Sequence, residues 1–307
     1  MSDLASDLVA IAAPIAAALA ARRPVVALET TLVTHGLPHP EGLRVALELE
    51  SEVAAAGATP ATIGVFDGAA HVGLTRDELE RLATAGKPLK LNLSNLAARV
   101  VSGRPGSTTV AATIQIAARA GIEVLATGGI GGVHRDAAVS GDVSSDLTAL
   151  ARFPVAIVSA GAKAVLDLPR TVEMLETLGV PVYGFGTERF PAFYRRDAGL
   201  PVDAAFESIE ALADAIRAHW ALGGATGIVV ANPIPPEHEM PESLYEPALE
   251  RALAEAAERG VRGRAVTPFL LERLQVLTEG RSVFSNLALL RNNARVAARL
   301  ARALRAD

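Results

Sequence analysis

"PVAIVSAGAKAVLDLPRTVEMLETLGVPVYGFGT", residues 154 to 187, reads as strand, loop, helix and strand. The runs "PVAIVSAG" (154–161) and "VPVYGFGT" (180–187) are short, rich in Val and Ile, and stop at Gly or Thr, as buried strands do. Between them "LPRTVEMLETLG" (168–179) carries apolar residues at helical spacing and leaves through Gly179, a helix stop. The same alternation extends outward in both directions. "PVVALET" (24–30), "ATIGVFDG" (61–68), "IEVLATGG" (122–129) and "TGIVVANPIP" (226–235) repeat the strand pattern, and "EGLRVALELESEVAAAG", "TTVAATIQIAARAG" and "LTALARF" repeat the helical one. Strands alternating with helices predict an α/β layered fold. No Pro/Ser-rich linker, repeat or low-complexity tract divides the chain, so residues 1–307 are read as one domain, with an N-terminal helix at about 3–22 and a helical C-terminal tail at about 266–305.

Composition sets the outer bounds. A chain of 307 residues, 50% hydrophobic and 21% charged, can bury a large core. Cysteine is absent, which excludes disulfides and thiolate metal sites and suits a reducing cytoplasm. A net charge of -5 with only 4% aromatic residues gives neither the charge footprint nor the stacking surface of a nucleic-acid binder. The apolar "LVAIAAPIAAALAARR" is preceded by Asp3 and Asp7, is interrupted by Pro14, and has its arginines behind it, the reverse of a signal peptide. An Ala-rich surface or interface helix is expected there, and no membrane partner.

The opening stretch also holds one lysine, Lys163, directly after an apolar run. An ammonium group among Ala, Gly and Val loses hydration, so either the chain turns outward here or the amine is wanted neutral. Of 29 basic residues only Lys87, Lys90 and Lys163 are lysines. A chain that uses Arg almost wherever charge suffices points to these few for what a guanidinium cannot do, above all nucleophilic attack by an amine. The alternative is a lysine that snorkels to the surface. Lys163 follows the fourth strand, Glu29 and Thr30 end the first (24–30), and Thr127 to His134 follow the third in "TGGIGGVHR". In open α/β sheets that rim of strand ends binds ligands.

Two further loops suit an anion. "SGRPGSTTVAATI" (102–114) sets Gly103, Gly106, Ser107, Thr108 and Thr109 before a helix, where free amides favour phosphate, or where a hydroxyl simply caps the helix. "GDVSSDLTAL" (141–150) offers Asp142 and Asp146 with Ser144 and Ser145; carboxylates with few other ligands suit hydrated Mg or Mn, or again merely start a helix. The six histidines show no zinc spacing. "GGIGG" (128–132) lacks the dinucleotide spacing, the 102–114 loop lacks the Gly-Lys-Ser/Thr of a P-loop, and no nucleophile elbow occurs.

Taken in order, "ALETTLVTHGLPHPEG", "GSTTVAATI", "LATGGIGGVHRDA", "DVSSDL", "SAGAKAVLDLPRTVEMLETLGVPVYGFGTERFPAFY", "ANPIP", "VTPFLLERL" and "SNLALLRNNA" closely resemble the pseudouridine-5'-phosphate glycosidase family, also called indigoidine synthase A-like. The resemblance spans roughly residues 24–300. It implies a three-layer α/β/α sandwich around a mainly parallel or mixed sheet, and a cytoplasmic, homotrimeric, manganese-dependent enzyme that reversibly splits pseudouridine 5'-phosphate into uracil and ribose 5-phosphate. Magnesium or another divalent ion is an alternative to manganese. By the same resemblance Lys163 is the nucleophile, Glu29 the proton donor and Asp142 the metal ligand. Substrate contacts fall on Lys90, Val110, Ser144, Ser145 and Asp146, with His134 and Asn286 added. One segment departs: "KLNLSNL" (90–96) keeps Lys90 where many members read roughly "KVSRRDL".

The chemistry explains the demand for an amine. Uracil is joined to the sugar through carbon in this substrate, so the two-carboxylate route of N- and O-glycosidases serves poorly. A lysine imine with a ring-opened sugar offers another path. Two rivals share some of these residues: a lysine-imine lyase or aldolase acting on another sugar phosphate, and a sugar-phosphate-binding protein without catalysis.

Overall fold

The computed structural model describes residues 8–36, 39–86, 88–261 and 266–306. Strand Val9–Ile11 (β1) leads into helix Ala13–Ala20 (α1), strand Val25–Leu28 (β2), a π-helical turn at Leu32–Gly36 and helix Glu41–Ala55 (α2). One flank follows: Thr59–Phe66 (β3), Ala69–Val72 (β4), Arg76–Thr84 (α3), Leu89–Leu91 (β5), Leu96–Val101 (α4) and Gly106–Thr108 (β6). The chain then crosses back through Val110–Ala120 (α5), Val124–Ala126 (β7), Ala137–Ser140 (α6), Ser145–Leu150 (α7), Ala156–Ser159 (β8) and Leu168–Thr177 (α8). Val182–Phe185 (β9), Ala204–Phe206 (β10), Ile209–Ala221 (α9), Ile228–Ala231 (β11), Glu242–Glu258 (α10), Val266–Leu277 (α11) and Arg281–Arg305 (α12) complete it.

The strands form one sheet in the order β1-β4-β3-β2-β7-β8-β11-β9-β10, with β6 on β3 and β5 on β6. Pairing is parallel except where β3 meets β4 and β6. Every residue of β2, β8 and β11 is buried. Strands buried on both faces need helices on both sides, which makes this a layered α/β fold with a mostly parallel, mixed sheet. All six strands expected from the sequence are present, and the stretch 154–187 is β8, α8 and β9.

One expectation changes. Among the described residues the helix expected at 3–22 is α1 alone; residues 3–7 lie outside them, and 9–11 are a strand parallel to β4. Pro14 explains the boundary, because a proline is tolerated in the first turn of a helix but not in its interior. The C-terminal segment is helical over the expected range, as α11 and α12. Helix α12 packs on β2, β7 and β8, and buries Leu289, Ala294, Ala297 and Leu300 completely. Among the described residues no helix is long and apolar enough to cross a membrane.

Candidate active site

β2, β7, β8 and β11 are parallel to the strands they pair with in this run of the sheet, so their carboxyl ends open on one rim. From β2 the chain goes to β3 on one side, and it later returns to β7 on the other. That reversal leaves a crevice beyond the ends of β2 and β7, the place where such sheets bind ligands. Glu29 follows β2 there. Thr127, following β7, donates its hydroxyl to Glu29 Oε1 at 3.0 Å, and the Thr31 hydroxyl donates to Oε2. The carboxylate is therefore held from both sides.

Lys163 lies just beyond β8 in a segment that extends the ladder. The Ile130 amide donates to Gly161 O and the Lys163 amide to Ile130 O, each at 3.0 Å. The buried Tyr245 hydroxyl from α10 donates to Ala164 O at 2.9 Å. Gly161 adopts φ +75°, and a side chain there would run into Pro191 O, so only glycine allows this approach. These bonds fix the backbone that presents the half-buried Lys163.

Two adjoining cavities meet at this lysine. The larger, about 220 Å³, is lined by Lys90, Val110, His134, Asp142, Ser144, Ser145, Asp146 and Lys163, with Asn92 and Thr109. The smaller, about 80 Å³, takes Glu29, Asn286, Lys90 and Lys163 together with Phe193, Leu271 and Leu290. All ten residues expected at the site are thus brought together. The larger cavity is polar and the smaller one has an apolar wall.

Helix α5 opens onto the larger cavity through Thr109, whose hydroxyl caps it, and Val110. Helical geometry leaves the Val110 amide without an intrahelical acceptor, and its side chain is buried, so the backbone is what it can offer. The neighbouring amide is already taken: Asp146 Oδ1 accepts from Ala111 N–H at 2.9 Å, and Oδ2 from Gly131 N–H at 2.7 Å. Asp146 is therefore a buried clamp between α5 and the 128–132 loop. Ser107 and Thr108, read from the sequence as the approach to a helix that either binds phosphate or is simply capped, are fully buried in β6. Thr108 donates to Ile63 O at 2.6 Å, and Ser107 meets the Thr34 hydroxyl at 2.7 Å, because the strand consumes what the sequence offered as a loop.

Electrostatics single out Lys90. Burial lowers its pKa from the ordinary lysine value, the charge of Lys163 lowers it further, and Glu29 and Asp146 act in the opposite direction. Neighbouring His35 is held toward its neutral form, first by burial and then by Lys90. Of the larger cavity's two carboxylates, Asp142 is the one free of main-chain amides among the described residues, with His134 Nδ1 at 3.9 Å from its Oδ2. No group of three or more His, Cys, Asp or Glu suited to a metal occurs among the described residues. One carboxylate cannot cage an ion, but it fits a hydrated Mg- or Mn-type cation that also uses water and substrate oxygens. Lys87 lies outside the described residues.

Sequence reasoning did not find Thr31, which grips Glu29, or Phe193, which walls the smaller cavity. Phe193 adopts φ +62°, a strained value for a bulky residue, with its ring against Gly129. A hydroxyl two residues past a rim carboxylate was the available signal for Thr31; nothing local marks Phe193.

A family model described as "Indigoidine synthase A like protein" matches residues 14–303. The pseudouridine-5'-phosphate glycosidase of Paracoccus denitrificans (strain Pd 1222) is 51% identical over 299 residues, covering 97% of this chain and 98% of that one. Its namesake from Caldanaerobacter subterraneus subsp. tengcongensis is 50% identical over 284 residues, 92% of each chain. Among solved structures, the prealnumycin C-glycosynthase AlnA in complex with ribulose 5-phosphate superposes with a TM-score of 0.91 at 40% identity over 97% of both chains. An indigoidine synthase A-like protein of Thermotoga maritima gives 0.88 at 35% identity, also over 97% of both.

Proposed function

The chain belongs to the indigoidine synthase A-like family, and from that premise we propose that it is a pseudouridine-5'-phosphate glycosidase, splitting its substrate reversibly into uracil and ribose 5-phosphate. The observation that carries this reading is that Lys163 lines both cavities. The polar one suits the sugar phosphate and the one walled by Phe193 and Leu290 suits a planar base, so the bond between sugar and base falls at the amine.

Glu29, held by Thr31 and Thr127, gives a proton to the ring oxygen as the bond from that oxygen to the anomeric carbon breaks. The Lys163 amine bonds to the opened carbon. The proton that the attacking amine sheds returns through the Glu29 carboxylate to C5 of uracil, the carbon-carbon bond breaks, and the nitrogen lone pair closes an imine, so uracil leaves neutral. Water adds across the imine and releases ribose 5-phosphate with the free amine. The ketose in the AlnA structure is an open-chain pentose phosphate, which supports a site of this class accepting an opened sugar. Lys90, the Val110 amide, Ser144 and Ser145 bind the phosphate end; His134 and Asn286 complete the lining. Asp142 would hold hydrated Mn2+, whose positive charge would offset that of the phosphate.

A homotrimer working in the cytoplasm is part of the same reading. Incubating purified protein with pseudouridine 5'-phosphate and Mn2+ should give uracil and ribose 5-phosphate in equal amounts. Turnover of a different sugar phosphate without dependence on the uracil base would favour a lyase instead, and binding without turnover a silent binder.

A further inference from the structure

The buried face of α12 is apolar at Leu289, Leu290, Ala294 and Ala297, yet Asn293 sits in its midst with no exposure at all. A polar side chain in that position is costly unless its hydrogen bonds are made. They are made to the active-site rim. Asn293 Nδ2 donates to Thr127 O at 2.8 Å and reaches Gly128 O at 3.4 Å. Its Oδ1 accepts from Asn232 Nδ2 at 2.8 Å, and Asn232, just past β11, is itself buried. Two carbonyl oxygens on one side leave only one amide orientation, so the Asn232 bond has a fixed direction.

The recipient segment belongs to the site. Thr127, Gly128 and Gly129 line the smaller cavity, and the Thr127 hydroxyl is one of the two that hold Glu29. β7 ends at Ala126, so this stretch has left the regular ladder. Its Thr127 amide still bonds Val158 O at 3.1 Å, while its carbonyl is tied to α12. Rotation of the Thr127 peptide would swing the hydroxyl off the carboxylate, and the two asparagines oppose that rotation.

We propose that Asn293, backed by Asn232, is a positioning residue for Glu29: it fixes the Thr127 peptide, and through the Thr127 hydroxyl the carboxylate that delivers the proton. The inference rests on Glu29 as proton donor. It links the end of β11 and helix α12 to the chemistry at β2, and it predicts an effect on the chemical step rather than on substrate affinity.

Asn293→Leu, close in volume but without donors, tests this. Turnover should fall on the order of 30-fold, because small misplacements of a reacting group cost that much, with KM within about 3-fold of the parent. In a Glu29→Gln background, followed at high enzyme concentration, Asn293→Leu should change the residual rate by less than about 3-fold, since the group it positions is already gone. Unchanged turnover in the single variant, or an equal loss in both backgrounds, overturns the inference. Should Asn293→Leu not fold, Asn232→Ala is read in the same way, with a loss of about 5-fold confined to the background that retains Glu29. Full turnover by Glu29→Gln alone would overturn the proton-donor reading and this inference with it, whereas a slow Glu29→Gln with an unaffected Asn293→Leu sinks only the inference.

Discussion

Replacing Asp146 by Ala should lower stability as well as activity, and the structure sets the size of the effect. Both carboxylate oxygens accept main-chain amides, from Ala111 at 2.9 Å and Gly131 at 2.7 Å, and the residue is only 4% exposed. Hydrogen bonds to a charged group contribute about 1.5–3 kcal/mol each, and the substitution leaves two buried N–H groups to find water. A total loss of roughly 3–5 kcal/mol follows if the enlarged cavity hydrates only in part. With an unfolding entropy of about 2.1 cal/mol/K per residue over 307 residues, that corresponds to a fall in Tm of roughly 5–8 °C. Asp146→Asn should fall less, because one oxygen can still accept, although its amide then faces a second donor. Differential scanning calorimetry without ligand isolates this from any substrate contact. An Asp146→Ala protein with the parent's Tm would refute the clamp and return the residue to a purely ligand-binding role.

Three other expectations follow from the site. Because burial and Lys163 lower the Lys90 pKa, Lys90 loses its charge earlier on raising pH than a solvated lysine; KM should therefore climb with pH below the ordinary lysine value of 10.5, and Lys90→Arg should abolish the climb. A KM–pH profile taken above about pH 7.5, where the phosphate is already dianionic, reads this directly. Asp142→Ala should raise the Mn2+ concentration needed for half-maximal activity and the KM together, and an unchanged Mn2+ titration would put the metal elsewhere. Gly161→Ala should cost several °C in Tm and most of the turnover, since φ +75° and the nearby Pro191 carbonyl both oppose a side chain.

The central sheet was legible because its strands are written locally. β8 and β11 are apolar runs with Gly or Pro close beyond them, and no competing helical pattern crosses them. β5 and β6 were not legible: "GST" at 106–108 reads as a loop, and only pairing with β3 and β5, set by tertiary contact, makes it a strand. The burial of Ser107 and Thr108 follows from that pairing. Lys163 stood out through the scarcity of lysine and its place after a strand. The burial argument first raised for it has its clear case at Lys90, whose charged neighbours Glu29, Asp146 and Lys163 come from three separate segments that no local reading can assemble. The clamp formed by Asp146 was hidden for the same reason, because its partners are amides 35 and 15 residues away.

The account turns on which amine attacks, and Lys90, with its lowered pKa, is a genuine competitor in the same cavities. Incubating the enzyme with ribose 5-phosphate and cyanoborohydride reduces any imine to a stable secondary amine, and peptide mass spectrometry then chooses among Lys87, Lys90 and Lys163, the chain's three lysines. The account predicts one pentose phosphate per chain, on Lys163, and no adduct in Lys163→Arg. An adduct on Lys90, or none under conditions where the enzyme turns over, would contradict it.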